Sequence, residues 1–142
     1  MDNSLPRKIT DKMMGSDWFS RWLGIEVCES GPGSCILQLT IRKEMLNGFG
    51  IAHGGITYSL ADSALAFASN SHNRMSVSVE TSISHTKQLK EGDVITAHAE
   101  EMSLSNKIAI YHITIRNQHD EVVALFKGTV YRTSKNWLEE EL

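Results

Sequence analysis

Residues 56–70 read ITYSLADSALAFASN, a run of alanine, leucine and small polar residues long enough for about four helical turns. Ile56, Leu60, Ala61, Ala64, Leu65, Phe67 and Ala68 leave the predicted helix almost no polar side. A helix that is apolar nearly all round is a buried one. Just upstream stands a glycine-rich loop, Asn47-Gly48-Phe49-Gly50 followed by His53-Gly54-Gly55. Downstream of His72-Asn73 the pattern changes to strands and short turns. Residues 76–86 are rich in serine, valine and threonine, residues 94–102 alternate, and residues 122–132 form a last strand. Between them, residues 108–116 set Ile108, Ile110, His112 and Thr114 against Ala109, Tyr111, Ile113 and Ile115, the period of two that a strand requires. Lys90-Glu91-Gly92-Asp93, Ser103-Leu104-Ser105-Asn106 and residues 117–120 supply turns.

Ahead of the buried segment, Ile9, Met13, Phe19, Trp22 and Leu23 fall at loosely helical spacing. They predict one amphipathic N-terminal helix over about residues 7–23, which Gly24 should stop. A hairpin follows: residues 25–30, the turn Gly31-Pro32-Gly33, then residues 35–41, where Cys35, Leu37, Leu39 and Ile41 share a face. Short turns imply antiparallel neighbours. The simplest packing is an α+β fold in which a single antiparallel sheet wraps one long buried helix. No repeat, linker or low-complexity tract divides the 142 residues, so one domain over residues 1–142 is expected.

Composition narrows the function. A formal charge of −3, with 41% hydrophobic and 22% charged residues, gives no broad reason to expect nucleic acid or an anionic membrane as partner. The start of the chain carries scattered charges and no continuous apolar run, so neither a secretory signal nor a spanning helix is expected there. Cys28 and Cys35 flank Gly31-Pro32-Gly33 and could face each other across the hairpin. In a chain without a signal, free buried thiols are the expectation, and with them a cytoplasmic location.

Asp62 breaks the apolar pattern. It sits between Ala61 and Ser63, where a carboxylate costs several kcal/mol of desolvation unless something compensates. It could face a polar crevice or cap a neighbouring loop. Its surroundings also suit chemistry: Gly55, Ser59 and Asp62 recur at spacings of four and three, hence on one helical face. Gly54 and Gly55 stand where the helix begins, with backbone N–H groups to donate and no side chain in the way. A helix N-terminus aimed at a carbonyl oxygen stabilises an oxyanion, and a partly desolvated carboxylate serves as nucleophile or general base.

Other chemistries find little support. There is no G-x-S-x-G elbow. The six histidines show neither H-x-x-x-H nor H-E-x-x-H spacing, so no metal is expected. His85, His98 and His112 read as ordinary strand residues, and Gly48-Phe49-Gly50 does not extend into a dinucleotide fingerprint.

The stretch MLNGFGIAHGGITYSLADSALAFASNS, residues 45–71, closely resembles the signature of the phenylacetate-degradation (PaaI-type) hotdog thioesterases. That signature runs N-G-x-x-x-x-H-G-G with an aspartate seven positions after the second glycine, here Asp62. The last strand, VVALFKGTVYR, is also similar, and the resemblance spans about residues 18–133. It implies a hotdog fold and hydrolysis of acyl-CoA thioesters, aryl-acyl groups of the phenylacetyl type foremost, to free acid and CoA. No metal or organic cofactor is implied, since coenzyme A is part of the substrate. Asp62 would be the catalytic carboxylate, acting directly or through water. The Gly54 N–H would polarise the thioester carbonyl, with Gly55 as the alternative. His53 would orient the loop or thioester, Asn47 would position the attacking water, and Ser78 matches a strand serine that assists water or thiolate. Lys87-Gln88-Leu89 departs from the Arg-Pro pair of many relatives, which bears on the CoA phosphate contacts. The resemblance further implies a homodimer unit assembled as a dimer of dimers, a homotetramer. A hotdog hydratase or dehydratase and a non-catalytic acyl-CoA-binding module are the alternatives.

Overall fold

The computed structural model describes residues 2–139. The long helix is α3 (Gly54–Asn70), and ten of its residues are buried, from Thr57 to Asn70. Around it runs a six-stranded antiparallel sheet built from β1 (Glu26–Gly31), β2 (Ser34–Thr40), β3 (Arg74–His85), β4 (Val94–Leu104), β5 (Ile108–Arg116) and β6 (Val122–Asn136). Alternation sets which face turns inward: Leu37 and Leu39 of β2, Ile95 and Ala97 of β4, Tyr111, Ile113 and Ile115 of β5 and Phe126 of β6 are buried. They meet Leu60, Ala61, Ala64, Leu65, Phe67 and Ala68 of α3 in one core cluster. The helix-wrapped α+β architecture expected from the sequence is the one observed.

The helix approaches β6 closely at Gly128. A Cβ there would lie 2.5 Å from Leu65 Cδ2, so only a glycine lets the buried leucine seat against the strand. Asn70 closes the other end of α3. Its amide donates to the Ala66 and Ser76 carbonyls (2.8 and 3.1 Å), and its Oδ1 accepts from the Ser76 N–H and the Trp137 indole. This clamp fixes where β3 leaves the helix.

Three expectations need correction. The strands run β1-β2-β4-β5-β6-β3, so the consecutive β3 and β4 are not neighbours. Their connection, residues 86–93, spans the sheet, and β3 pairs with β6 instead. The N-terminal helix of residues 7–23 is two helices, α1 (Leu5–Met14) and α2 (Trp18–Leu23). Gly15 ends the first, and Asp17 starts the second by accepting the Ser20 N–H (3.0 Å), a side-chain cap that competes with continuing the helix. The break turns α2 so that Leu23 is buried while Phe19 and Trp22 are exposed, against the single apolar face expected of them. Finally, the cysteines are free, but only Cys35 is buried. Cys28 is exposed at a β-bulge in β1, which takes it out of register with β2.

Candidate active site

The structure distributes the candidate residues between the N-terminus of α3 and its middle. At the N-terminus, Gly50 (φ +77°) and the Asn47 side chain shape the preceding loop. Asn47 Oδ1 accepts from the Phe49 N–H at 2.9 Å and the Ile51 N–H at 3.4 Å. That commits the oxygen to the loop and leaves the amide nitrogen as the group that can face a ligand. His53 is the N-cap of α3, and its Nδ1 accepts the Gly55 N–H at 2.9 Å. The neutral ring therefore carries its proton on Nε2. Among the described residues the Gly54 N–H makes no hydrogen bond. Of the two glycine donors, Gly54 is the open one and Gly55 is engaged.

Asn47 and Gly54 line one cleft of about 200 Å³ together with Thr57, His85, Lys87 and Gln88. His85 was expected to be an ordinary strand residue. It ends β3, and its Nε2 lies 3.2 Å from where a Gly54 Cβ would stand. The Thr57 hydroxyl donates to the Gly54 carbonyl (3.0 Å) and so accepts from His85 Nδ1–H (3.2 Å). Nothing local in the sequence signals this placement, which follows from the pairing of β3 with β6.

Asp62 lies two turns further along, half-buried, on a separate cleft of about 270 Å³. Ser78 of β3 lines the same cleft, so the structure brings these two candidates together. Leu65, Ala66, Val77 and Val130 give it apolar walls, and Ser69 and Ser76 add hydroxyls. Burial pushes the Asp62 carboxyl above its usual range, and the Asp17 carboxylate pushes it further the same way. Such a carboxylate is a stronger base than one in water. Asp17 was not among the expected site residues, although an aspartate ahead of a short apolar helix is a capping signal.

One α3 does not unite the two groups. Gly54 and Asp62 are eight residues apart on a continuous helix, about 12 Å at ~1.5 Å per residue.

Comparison with known proteins matches residues 49–124 to the thioesterase superfamily. A putative esterase of Archaeoglobus fulgidus is 36% identical, covering 95% of this chain and 88% of its own. The acyl-coenzyme A thioesterase PaaI of Escherichia coli is 34% identical, over 84% of this chain and 86% of that protein. The solved structure of the E. coli PaaI protein from the phenylacetic acid degradation operon superposes with a TM-score of 0.91 at 31% identity, covering 93% of this chain and 96% of that one. With its helix-wrapped sheet and its aspartate midway along the buried helix, this chain belongs to the thioesterase superfamily, in the PaaI-type group of hotdog-fold acyl-CoA thioesterases.

Proposed function

We propose that this protein hydrolyses acyl-CoA thioesters, aryl-acyl groups of the phenylacetyl type foremost, to the free acid and CoA. The observation that carries the reading is Asp62: a carboxylate held half-desolvated in the middle of a buried helix, opening on a cleft that also holds Ser78. The Gly54 N–H polarises the thioester carbonyl. Asp62 takes a proton from water as the water oxygen bonds to the carbonyl carbon, or attacks that carbon itself. The C–S bond then breaks and the thiolate leaves, taking up a proton. In the direct route water next hydrolyses the anhydride between Asp62 and the acyl group to the free acid. In the water route Asp62 gives its proton up to the thiolate or to solvent. Either way the carboxylate is restored. One carboxylate, one backbone N–H and water suffice for this chemistry, so neither metal nor organic cofactor is included. His53 holds the turn that presents Gly54, and Asn47 offers its amide N–H to water.

The apolar walls and terminal hydroxyls of the Asp62 cleft suit a compact ring better than a long flexible chain. The phenylacetic acid context of the E. coli relative agrees with that preference. Two free cysteines suit the cytoplasm, and no helix among the described residues is long and apolar enough to cross a membrane.

Each site is completed by a second copy. The 12-residue β3 is an edge strand, and its Val77 and Val79 are 56% and 59% exposed, an edge that a protein covers rather than leaves open. A twofold partner across this edge pairs Gly54 of one protomer with Asp62 of the other, twice. Such dimers pair further into a tetramer.

The test is thiol release from a panel of aryl and fatty acyl-CoAs by the native protein and by Asp62→Asn. The native protein should turn over the aryl substrates faster, and Asp62→Asn should lose about 10²–10⁴-fold in kcat. Substrate binding without thiol release would identify a binding module instead. Retention of most activity in folded Asp62→Asn would remove the carboxylate from the mechanism.

A further inference from the structure

A buried chain of hydroxyls leads from α2 to the turn of α3 that carries Asp62. Ser20 is 1% exposed and Ser63, the residue next to Asp62, is 8% exposed. Ser20 donates its hydroxyl proton to Asp17 Oδ2 at 2.8 Å. That proton is then spent, so the 2.8 Å contact between the two serine oxygens requires Ser63 to donate to Ser20. Asp17 Oδ1 also accepts the Ser20 N–H at 3.0 Å. The half-buried Asp17 thus anchors both the start of α2 and the first link of the chain.

Capping alone does not explain why the anchor is charged. Asparagine and serine cap helices as well as aspartate does. A carboxylate near a second carboxylate is costly in a partly desolvated place. We propose that Asp17 is a positioning residue for Asp62: through Ser20 and Ser63 it fixes the α3 turn that presents the carboxylate. The inference rests on Asp62 acting as the base.

The lining of the cleft brings no other charge to Asp62. From β3 and β6 the residues facing Asp62 across its cleft are Ser76, Val77, Ser78 and Val130, none of them ionisable. Beside burial, the Asp17 carboxylate is what raises the proton affinity of Asp62. Removing the Asp17 charge therefore lowers the proton affinity of Asp62. Its ionised, working form then persists to lower pH but pulls protons less strongly.

Asp17→Asn retains the cap and the hydrogen bonds, since the two serine hydroxyls can reverse direction when Asn donates to Ser20. Asp17→Ser is the second variant should the amide not fold. Two readouts are taken on whole protein: the pH profile of kcat/KM, and the titration of the Asp62 carboxyl carbon followed by NMR. The expected result is that the acidic limb and the carboxyl titration both move to lower pH, with a lower plateau. A merely structural anchor would lower the plateau and leave both midpoints in place. Unmoved midpoints in a folded variant would overturn the proposal. Asp62→Asn run in parallel separates the two ideas. If it stays active, the base assignment is what failed. If it is inactive while Asp17→Asn titrates like the native protein, only the role of Asp17 falls.

Discussion

Mixing two inactive variants, Asp62→Asn and Gly54→Pro, tests whether each site draws on two protomers. A thioester carbon must lie within about 3–3.5 Å of the group that attacks it. One α3 holds its own Gly54 N–H and its own Asp62 about 12 Å apart along the helix axis, which is too far for both to act on one carbonyl. The structure makes Gly54→Pro a clean deletion. Gly54 is the first residue of α3, where proline is well tolerated because that N–H bonds nothing within the helix. His53 before it has φ −61° and ψ 138°, the extended conformation a residue preceding proline prefers. The one tight contact is with the exposed His85 ring, 3.2 Å from the added carbon. Losing an oxyanion donor costs about 10²–10³-fold, so either variant alone should be close to silent. After reversible dissociation and equal mixing, half the dimers are mixed. Each mixed dimer holds one doubly damaged site and one intact site, so about a quarter of native activity should return. Thiol release before and after mixing reads the result. No recovery, with both variants shown folded and dimeric, refutes the shared site.

Stability offers a second check on Asp62. Its folded carboxyl lies above the ordinary value of 3.8, so the folded state binds its proton more tightly than the unfolded state does. The resulting stabilisation is complete below 3.8 and is lost as pH rises through the raised value. Asp62→Asn should therefore melt higher than the native protein at pH ~7 and the difference should close near pH ~3; a lower melting point at neutral pH would contradict the burial argument. Gly128→Ala must displace Leu65 by pushing a carbon to 2.5 Å from it, and should cost about 1–3 kcal/mol in urea unfolding at fixed protein concentration. An unchanged midpoint would mean that the helix is not tightly seated there. Burial pushes the Cys35 thiol up to about 12, so a thiol reagent should label the exposed Cys28 in the native protein and reach Cys35 only after denaturation. Two equivalents reacting at once would refute that difference.

Local pattern was enough to read the parts. The apolar run of residues 56–70 predicts a buried helix because burial on all sides removes any polar stripe. Glycine and proline mark the hairpin between β1 and β2, and Asp62 stands out because a carboxylate does not belong among alanines and leucines. The order of the strands was not legible. A strand's alternation says which face is buried but not which strand lies beside it, so the pairing of β3 with β6 had to come from the fold. That pairing brings His85 against Gly54 and Ser78 beside Asp62. The break between α1 and α2 was legible only in part: Gly15 and Asp17 are cap residues, yet the spacing of Phe19 and Trp22 still suited one helix. The folded helix start also sets two adjacent glycines apart. They look equivalent in the sequence, but the N-cap ring of His53 takes the Gly55 N–H and leaves that of Gly54 open, because a helix start has more donors than one cap can satisfy.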